Sequence, residues 1–293
     1  MTNLSLDEMA KLLTQSQSYK VLKCFEKIER YSPDNNEKKL IGVFLDIEST
    51  GLNTLTDKII EIALVPFEYT NDGLIYRVLE SYSSFQDPGI SIPSNITSIT
   101  GITNEMVKDQ KIDLTVVKKI ISDADIIIAH NAAFDRKIFE SQLFETKNKL
   151  WACTFSQIPW AEEGINSAKL EYIAFIFGFF YKAHRAETDC LVGIHILAQT
   201  LPISSKPALK VLLQNALEKS YRVWAVNTKY DSREALKARR YKWNFASNNQ
   251  PKAWYIEVNE SHKEEELNFL YNEIYKEKVQ LPIEEIDSFS RFL

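Results

Sequence analysis

The sequence predicts a layered α/β protein, and three observations support this fold class. First, "LIGVFLDIES" at residues 40–49 is apolar at nearly every position, as in a central strand covered on both faces. Second, strand patterns follow at residues 58–69 and 74–85, with an Asp-Gly hairpin signal between them. Third, helical and strand patterns alternate from residue 113 to residue 201. This order of elements is typical of a sheet with helices packed against it.

The chain before the first central strand is predicted to be helical. Apolar residues recur at roughly helical spacing through residues 1–31. The segment "SPDNNEKK" at residues 32–39 is polar and contains a proline, so it reads as a break. We therefore expect an N-terminal helical extension and linker over residues 1–40.

The segments that follow residue 85 complete one domain, which we place at residues 41–201. Short helices are expected in the turn-rich stretch 87–107, and a short buried strand in "ADIIIAH" at residues 124–130. Longer helices are predicted over residues 113–122, 134–144, 168–178 and 185–201.

A second domain is predicted over residues 202–293, after the linker "LPISSKP". Its patterns read strand, helix, strand, helix. Residues 206–242 hold ten Lys/Arg against three Asp/Glu, and residues 257–287 hold three against ten. These runs are either solvated helix faces or a basic surface for a nucleic-acid backbone. On the second interpretation the contacts are Lys237, Arg239 and Arg240, with Trp224, Tyr241, Trp243, Trp254 and Tyr255 as stacking partners or core.

Composition excludes several classes of protein. The chain has 293 residues and a net charge of −5, so any nucleic-acid binding must use local patches or metal ions rather than bulk positive charge. Three widely separated cysteines form neither a disulfide framework nor a zinc motif. The acidic N-terminus does not resemble a signal peptide, and no apolar run approaches the roughly 20 residues that span a bilayer. We expect a cytoplasmic protein with no membrane segment.

Two acids interrupt the first central strand. Asp46 and Glu48 are two residues apart, so their side chains point to the same face of a strand. Like charges this close repel unless a cation lies between them. Oxygen ligands without histidine or cysteine favour Mg²⁺ or Mn²⁺. The alternative is an edge strand with exposed acids, which the apolar context makes less suitable.

Two further motifs contain acids at helix starts. In "AHNAAFD" at residues 129–135, a buried strand ends and Asp135 lies in the first turns of the next helix, near the positive end of its dipole. In "HRAETD" at residues 184–189, His184 precedes a helix and Asp189 lies in its first turns. Each motif taken alone is also ordinary for a helix start.

Together and in this order, the three motifs resemble those of the DEDDh 3′–5′ exonucleases, a family that includes the proofreading epsilon subunit of bacterial DNA polymerase III. The matching patterns are Asp-x-Glu-x-Thr-Gly-Leu, His-Asn-x-x-Phe-Asp and His-x-x-x-x-Asp. The resemblance spans residues from about 41 to 200. Beyond it, "LKARxYxWN" followed by "AWY" resembles a C-terminal extension of some epsilon-like bacterial exonucleases.

The resemblance implies an RNase H-like fold, with a mixed central sheet flanked by helices, and two-metal hydrolysis. Asp46, Glu48, Asp135 and Asp189 would hold two Mg²⁺ or Mn²⁺ ions. His184 would be the general base, and the product a nucleoside 5′-monophosphate.

The resemblance also suggests substrate contacts. Thr50 and Leu52 follow the first acids where the family contacts the terminal nucleotide, Gly51 permits the turn, and Thr100 lies beneath the next nucleotide. Phe134 stacks on a base or fills the core. His130 and Asn131 orient the site or form the helix entry.

The expected partner is a single-stranded DNA or RNA 3′ end, with DNA preferred. A binding protein on an exonuclease scaffold is one alternative function. A proofreading subunit bound to a polymerase is another alternative. Epsilon subunits bind the polymerase through a C-terminal tail, and this chain has a C-terminal unit in that place, which argues against the polymerase partner. The sequence leaves the oligomeric state open.

Overall fold

The computed structural model describes residues 4–16, 18–245 and 250–293. The chain forms two compact units, residues 1–216 with Phe292 and Leu293, and residues 217–291. Among the described residues, no helix is both long enough and apolar enough to cross a membrane.

The first unit is built on a mixed six-stranded sheet, as the α/β prediction requires. Its strands are β2 (Leu40–Ser49), β3 (Ile59–Tyr69), β4 (Ile75–Val78), β5 (Tyr82–Phe85), β6 (Ile126–Ala129) and β7 (Leu150–Cys153), and the short pair β1 (Lys23–Cys24) and β8 (Phe179–Phe180) lies outside this sheet. The strands run in the order β4-β3-β2-β6-β7, and β5 also pairs with β3. Neighbours of β3 are antiparallel to it, whereas β6 and β7 run parallel to β2.

Nine helices of the first unit are described. They are α1 (Leu6–Gln15), α2 (Ser94–Thr100), α3 (Asn104–Val107), α4 (Leu114–Asp123), α5 (Ala132–Gln142), α6 (Thr154–Gln157), α7 (Leu170–Ile176), α8 (Ala186–Leu197) and α9 (Ala208–Leu217). Local sequence accounts for several starts. Ser5 and Glu8 form a capping box at α1, and the Asp113 carboxylate accepts from two backbone N–H groups at α4.

Two hydrophobic cores cover the two faces of the sheet. Side chains of β2 alternate between them, with Phe44 in one core and Val43, Leu45 and Ile47 in the other. The helix α8 packs closely over the Phe44 face. A Cβ atom at Gly193 would lie 2.2 Å from the Phe44 ring, so only glycine permits this approach. The packing brings the start of α8 to the face that carries Asp46 and Glu48.

The prediction of helix through residue 31 is wrong beyond α1. Lys23 and Cys24 form the strand β1, which pairs in parallel with β8, and the ring of Phe25 contacts those of Phe179 and His195. The apolar residues of this stretch therefore pack as extended chain rather than as a helix face. Residues 1–3 and Gln17, which the prediction included, lie outside the described residues.

The division between the units lies at residue 217 rather than at residue 202. The helix α9 follows the predicted linker, but its side chains Leu209, Leu212 and Ala216 are buried in the core of the first unit. Two more predictions differ in detail. The single strand expected at residues 74–85 is two strands, β4 and β5, and the strand β7 was not predicted.

The second unit is a four-stranded antiparallel sheet with helices on it. Its elements are β9 (Ser220–Ala225), a 3₁₀ turn (Tyr230–Ser232), α10 (Arg233–Ala238), β10 (Lys242–Trp243), β11 (Trp254–Asn259), α11 (Glu260–Phe269), a π-helical turn (Leu270–Tyr275) and β12 (Ile283–Ile286). Its strands run in the order β10-β11-β9-β12, so it contains two strands more than the predicted β-α-β-α pattern.

Candidate active site

The strand β2 carries the first two acids on one face. Asp46 pairs across the sheet with Ala63 of β3, and Glu48 pairs with Glu61. The register shifts just after Glu48, where β2 leaves the regular ladder. The acids therefore lie near the end of a central strand, on rigid backbone that can hold functional side chains at fixed positions.

Two helices supply the other two acids. Asp135 lies in the first turn of α5, directly after β6, and is 3% exposed. Asp189 lies in the first turn of α8 and is 8% exposed. Each acid benefits from the positive end of its helix dipole, which offsets part of the cost of burying a carboxylate.

His184 stands at the entrance to α8 with its backbone in the left-handed region, at φ 66°. Its backbone N–H donates a 2.9 Å hydrogen bond to Oδ2 of Asp189, which fixes the loop to the helix. Its side chain is exposed, and Nε2 lies 3.8 Å from Oε1 of Glu171. A non-glycine residue at positive φ is uncommon, and such backbone occurs often at functional sites.

The four acids converge in one cluster. Burial, and then the charges of neighbouring acids, raise the pKa of Asp46 well above its ordinary value. Those neighbours are, in order of effect, Asp135, Asp189, Glu48 and Glu61. Burial likewise raises the pKa of Glu48 to about 8, that of Asp135 to about 8 and that of Asp189 to about 6. A cluster of carboxylates with raised pKa values needs a compensating positive charge to ionise fully near neutral pH.

The donor set fits a divalent cation. One ligand atom each from Glu48, His184 and Asp189 lies within 4.8 Å of the others. Oδ1 of Asp189 is buried and forms no hydrogen bond of ordinary geometry in the described part of the chain, although the Tyr181 hydroxyl lies close enough to act on the pKa of Asp189. This oxygen can therefore turn to a metal ion. Carboxylate oxygens are the ligands that Mg²⁺ and Mn²⁺ prefer.

We expect the stability of the metal-free protein to fall as pH rises from about 5 to about 8. Each raised pKa makes the folded state bind more protons than the unfolded state in this window. The free energy of unfolding then decreases with pH, because its slope follows the protons bound by the unfolded state minus those bound by the folded state. Thermal unfolding in EDTA across this pH range measures the effect.

Asp46→Asn is the control for this prediction, because its amide does not ionise and takes one shifted carboxyl out of the titration of the cluster. The variant should unfold at a higher temperature than the wild type at pH about 8 in EDTA, by about 2–4 °C for each 1 kcal/mol of repulsion relieved. Added Mg²⁺ or Mn²⁺ should raise the wild-type unfolding temperature more at the upper end of the window than at the lower. A wild-type unfolding temperature that rises steadily with pH in EDTA would contradict the prediction.

A fifth acid of this cluster, Glu61, was not predicted. It is 2% exposed and forms a bidentate ion pair with Arg185, whose Nη2 lies 2.8 Å from Oε1. Its Oε2 also accepts from the backbone N–H of Ala186, 3.1 Å away. Glu61 thus ties β3 to the first residue of α8 and supports the segment that carries His184. The available signal was a charged residue within the apolar run of β3, the same anomaly that marked Asp46.

The residues after the first acids form a tight loop. The Thr50 hydroxyl donates to Oδ1 of Asp57 at 2.9 Å, and a Cβ at Gly51 would lie 2.6 Å from the same carboxylate. Leu52 is 87% exposed and is free to contact a ligand. Thr100 is buried and its hydroxyl donates to the Ile96 carbonyl within α2.

Of the predicted residues around Asp135, His130 and Phe134 make contacts within the protein. Nδ1 of His130 lies 2.7 Å from the Thr154 hydroxyl, and burial lowers the pKa of His130 to about 4, so this imidazole is neutral at neutral pH. Asn131 is exposed and its side chain makes no capping hydrogen bond at α5. Phe134 is partly buried against the core, which agrees with the core alternative for this residue.

The predicted basic contacts of the second unit differ in their surroundings. Arg239 pairs with Glu265 at 2.8 Å and Glu266 at 2.9 Å, so its charge takes part in the fold of the unit, and its contact with a nucleic acid stays a prediction. Lys237 lies 3.5 Å from the exposed Glu234. Arg240 is exposed, at φ 68°. Of the predicted stacking partners, Trp224 and Tyr241 are core residues, 3% and 4% exposed.

Comparison with known proteins agrees with this site. Residues 43–197, more than half of the chain, match the RNase T family, described as Exonuclease. DNA polymerase III PolC-type of Clostridium perfringens is 30% identical over 177 residues, which are 55% of this chain and 12% of that protein. PolC-type of Listeria welshimeri is 38% identical over 92 residues, which are 31% of this chain and 6% of that protein. The chain thus spans a small fraction of these curated relatives.

A solved structure shares the fold. The complex of E. coli ExoI with single-stranded DNA, in a zinc-bound form, has a TM-score of 0.50 and 12% identity, covering 75% of this chain and 63% of that chain. The mixed sheet and its flanking helices are accordingly RNase H-like. The chain belongs to the RNase T exonuclease family, as a DEDDh-type member that resembles the exonucleases of bacterial DNA polymerase III.

Proposed function

We propose that the protein is a metal-dependent 3′–5′ exonuclease that releases nucleoside 5′-monophosphates from single-stranded nucleic acid, with DNA preferred over RNA. The observation that carries the proposal is the meeting of four acids from β2, α5 and α8 beside His184. The raised pKa values of these acids, and the grouping of ligand atoms from Glu48, His184 and Asp189 within 4.8 Å, support a cation site. Two Mg²⁺ or Mn²⁺ ions held by Asp46, Glu48, Asp135 and Asp189 would polarise the phosphodiester and activate the attacking water.

His184 is the general base in this proposal. It takes a proton from the attacking water while the water oxygen bonds to phosphorus. The bond between phosphorus and the 3′ oxygen of the preceding nucleotide breaks, and that oxygen is protonated from solvent. The products are a nucleoside 5′-monophosphate and a strand shortened by one nucleotide with a new 3′ hydroxyl. The exposed position of His184 and the fixed carboxylate of Asp189 beside it support this division of roles.

The substrate contacts follow from the same proposal. Leu52, exposed beside the acid-bearing strand, packs against the terminal base, and Thr50 and Gly51 shape the loop that presents it. The neutral His130 and the exposed Asn131 line the start of α5 near Asp135.

Product analysis tests the proposal. Single-stranded DNA labelled at the 3′ end should release labelled mononucleotide as the first product, and the same strand labelled at the 5′ end should yield a ladder of shortening fragments. EDTA should stop both reactions, and an RNA strand of the same sequence should react more slowly. Labelled mononucleotide released first from the 5′ end would overturn the polarity. Binding without EDTA-sensitive hydrolysis would favour a non-catalytic binding protein instead.

A proofreading role beside a polymerase is the second candidate function, and the similarity to PolC-type polymerases favours it. Affinity purification of the tagged protein from its own cells tests this role. A replicative polymerase that co-purifies in stoichiometric amount would support it, and purified protein without any polymerase would count against it.

A further inference from the structure

The second unit contains a cleft that is separate from the candidate active site. Its volume is about 640 Å³, and all of its lining residues belong to residues 217–291. Its walls come from the turn after β9, from α10 and from the β10–β11 hairpin. Pockets that hold small organic ligands typically measure about 300–1,000 Å³, so the space suits a nucleotide-sized portion of a longer molecule.

Four cationic side chains line the cleft: those of Lys229, Arg233, Lys237 and Lys252. No acidic side chain lines it among the described residues. Two exposed acids are near it: Asp231, in the same turn as Tyr230, and Glu234, which lies 3.8 Å from Arg233 and 3.5 Å from Lys237 and is itself 83% exposed. A pair this exposed contributes little, so most of the positive charge of the cleft is uncompensated.

Other cationic side chains of the same unit form ion pairs within its fold. Arg222 contacts Glu257 at 2.6 Å and Glu284 at 3.2 Å across the sheet. Arg239 likewise contacts two glutamates of α11. Lys229 and Lys252, in contrast, form no ion pair with any residue in the described ranges. The charges of Lys229 and Lys252 are thus not balanced within the described part of the unit, and the repulsion among the four cations of the cleft is relieved when an anion binds.

Aromatic side chains alternate with these cations. Trp243 and Trp254 form an edge-to-face pair with ring centroids 5.4 Å apart, and Trp243 remains 36% exposed. Tyr230 and Phe245, also on the lining, are 80% and 81% exposed. Exposed aromatic rings are costly to leave in water, and beside cations they are the features that bind unpaired bases and their phosphates.

We propose that this cleft is a second nucleic-acid site, which binds an unpaired segment of DNA or RNA. The bases stack on Trp243 and Tyr230, and the phosphates face Lys229, Arg233, Lys237 and Lys252. A single strand fits better than a duplex because paired bases do not expose their faces to aromatic side chains. The cleft shares no residue with the hydrolytic cluster, so this proposal and the exonuclease proposal can each be disproved without the other.

Binding of an oligonucleotide to the full-length Asp46→Asn protein tests the site, since this variant should not degrade the probe. The probes are fluorescent oligothymidine and oligouridine of about 12 nucleotides, a length within the range of single-strand sites. Lys237→Glu with Lys252→Glu should weaken binding at least tenfold and reduce the salt slope by about 1.4, at about 0.7 for each phosphate contact. The matched control is Lys276→Glu with Lys278→Glu, which makes the same change in net charge elsewhere in the unit.

Trp243 distinguishes stacking from simple attraction of anions. Trp243→Ala should weaken binding about tenfold, and Trp243→Phe should restore most of the affinity because it keeps a stacking surface. Thermal unfolding checks that each variant is folded. If the two glutamate substitutions in the cleft unfold the unit, the milder double variant Lys237→Gln with Lys252→Gln takes their place.

Equal loss of affinity in the cleft double variant and in the control double variant would overturn the proposal. So would unchanged affinity in Trp243→Ala, or a duplex bound as tightly as the single strand.

Discussion

Replacing Asp46 with alanine is expected to lower the rate of nucleotide release at least ~100-fold, because one carboxylate of the cation site is lost and the remaining acids no longer hold a complete set of ligands. The charges of all three other acids of the proposed site raise the pKa of Asp46. Asp135→Ala should have an effect of the same size. Release of mononucleotide per unit time, at saturating metal and substrate, measures both variants.

Asp123→Ala is the matched control for these acids. Asp123 is an exposed acid at the end of α4 that pairs with Lys119 on its own helix. Its removal should leave activity within about twofold and stability nearly unchanged. Asp46→Asn and Asp135→Asn keep the shape of the side chain, so their loss of activity cannot be attributed to a cavity. If both alanine variants retain wild-type activity, the four-acid site is wrong.

Replacing His184 with asparagine is expected to lower the catalytic constant about 10²–10⁴-fold, the range that a general base typically contributes. Asparagine is the appropriate substitution because it tolerates the left-handed backbone at this position, φ 66°, and cannot act as a base at neutral pH. The Michaelis constant should change much less than the catalytic constant, since the acids remain in place.

The effect of an added base separates a general base from a structural residue. Imidazole in the buffer should restore part of the activity of His184→Asn, because it can take the proton of the attacking water at this exposed position. His262→Asn, at an exposed histidine of α11, is the control and should match the wild type. A His184→Asn variant with the catalytic constant of the wild type would show that another group is the base.

The sequence predicted the local structure that carries the site. The predicted strand over residues 40–49 has the same bounds in the structure, because a run of apolar residues with scarce glycine and no proline specifies a buried strand. The shared face of Asp46 and Glu48 follows from the alternation of side chains along any strand. The positions of Asp135 and Asp189 in first helical turns also follow from local patterns.

The N-terminal segment and Glu61 show why other features were not predictable. Periodicity indicated a helix through residue 31, but the pairing of β1 with β8 was decided by a segment more than 150 residues away. The role of Glu61 depends on the approach of α8 to β3, which local sequence does not encode. Interactions between distant segments override local propensity wherever they bury apolar groups or satisfy charges.

By itself, the sequence determined which residues carry chemistry and on what elements they lie, because side-chain direction follows from the local period of the backbone. Only the tertiary structure decided which charges meet. It brought four acids together beside His184, where α5 supplies Asp135 and the close packing of α8 on β2 at Gly193 supplies Asp189. It also paired Arg239 with two glutamates and left Lys229 and Lys252 in the cleft. Charge compensation depends on distances in space, and these are set only when the whole chain packs.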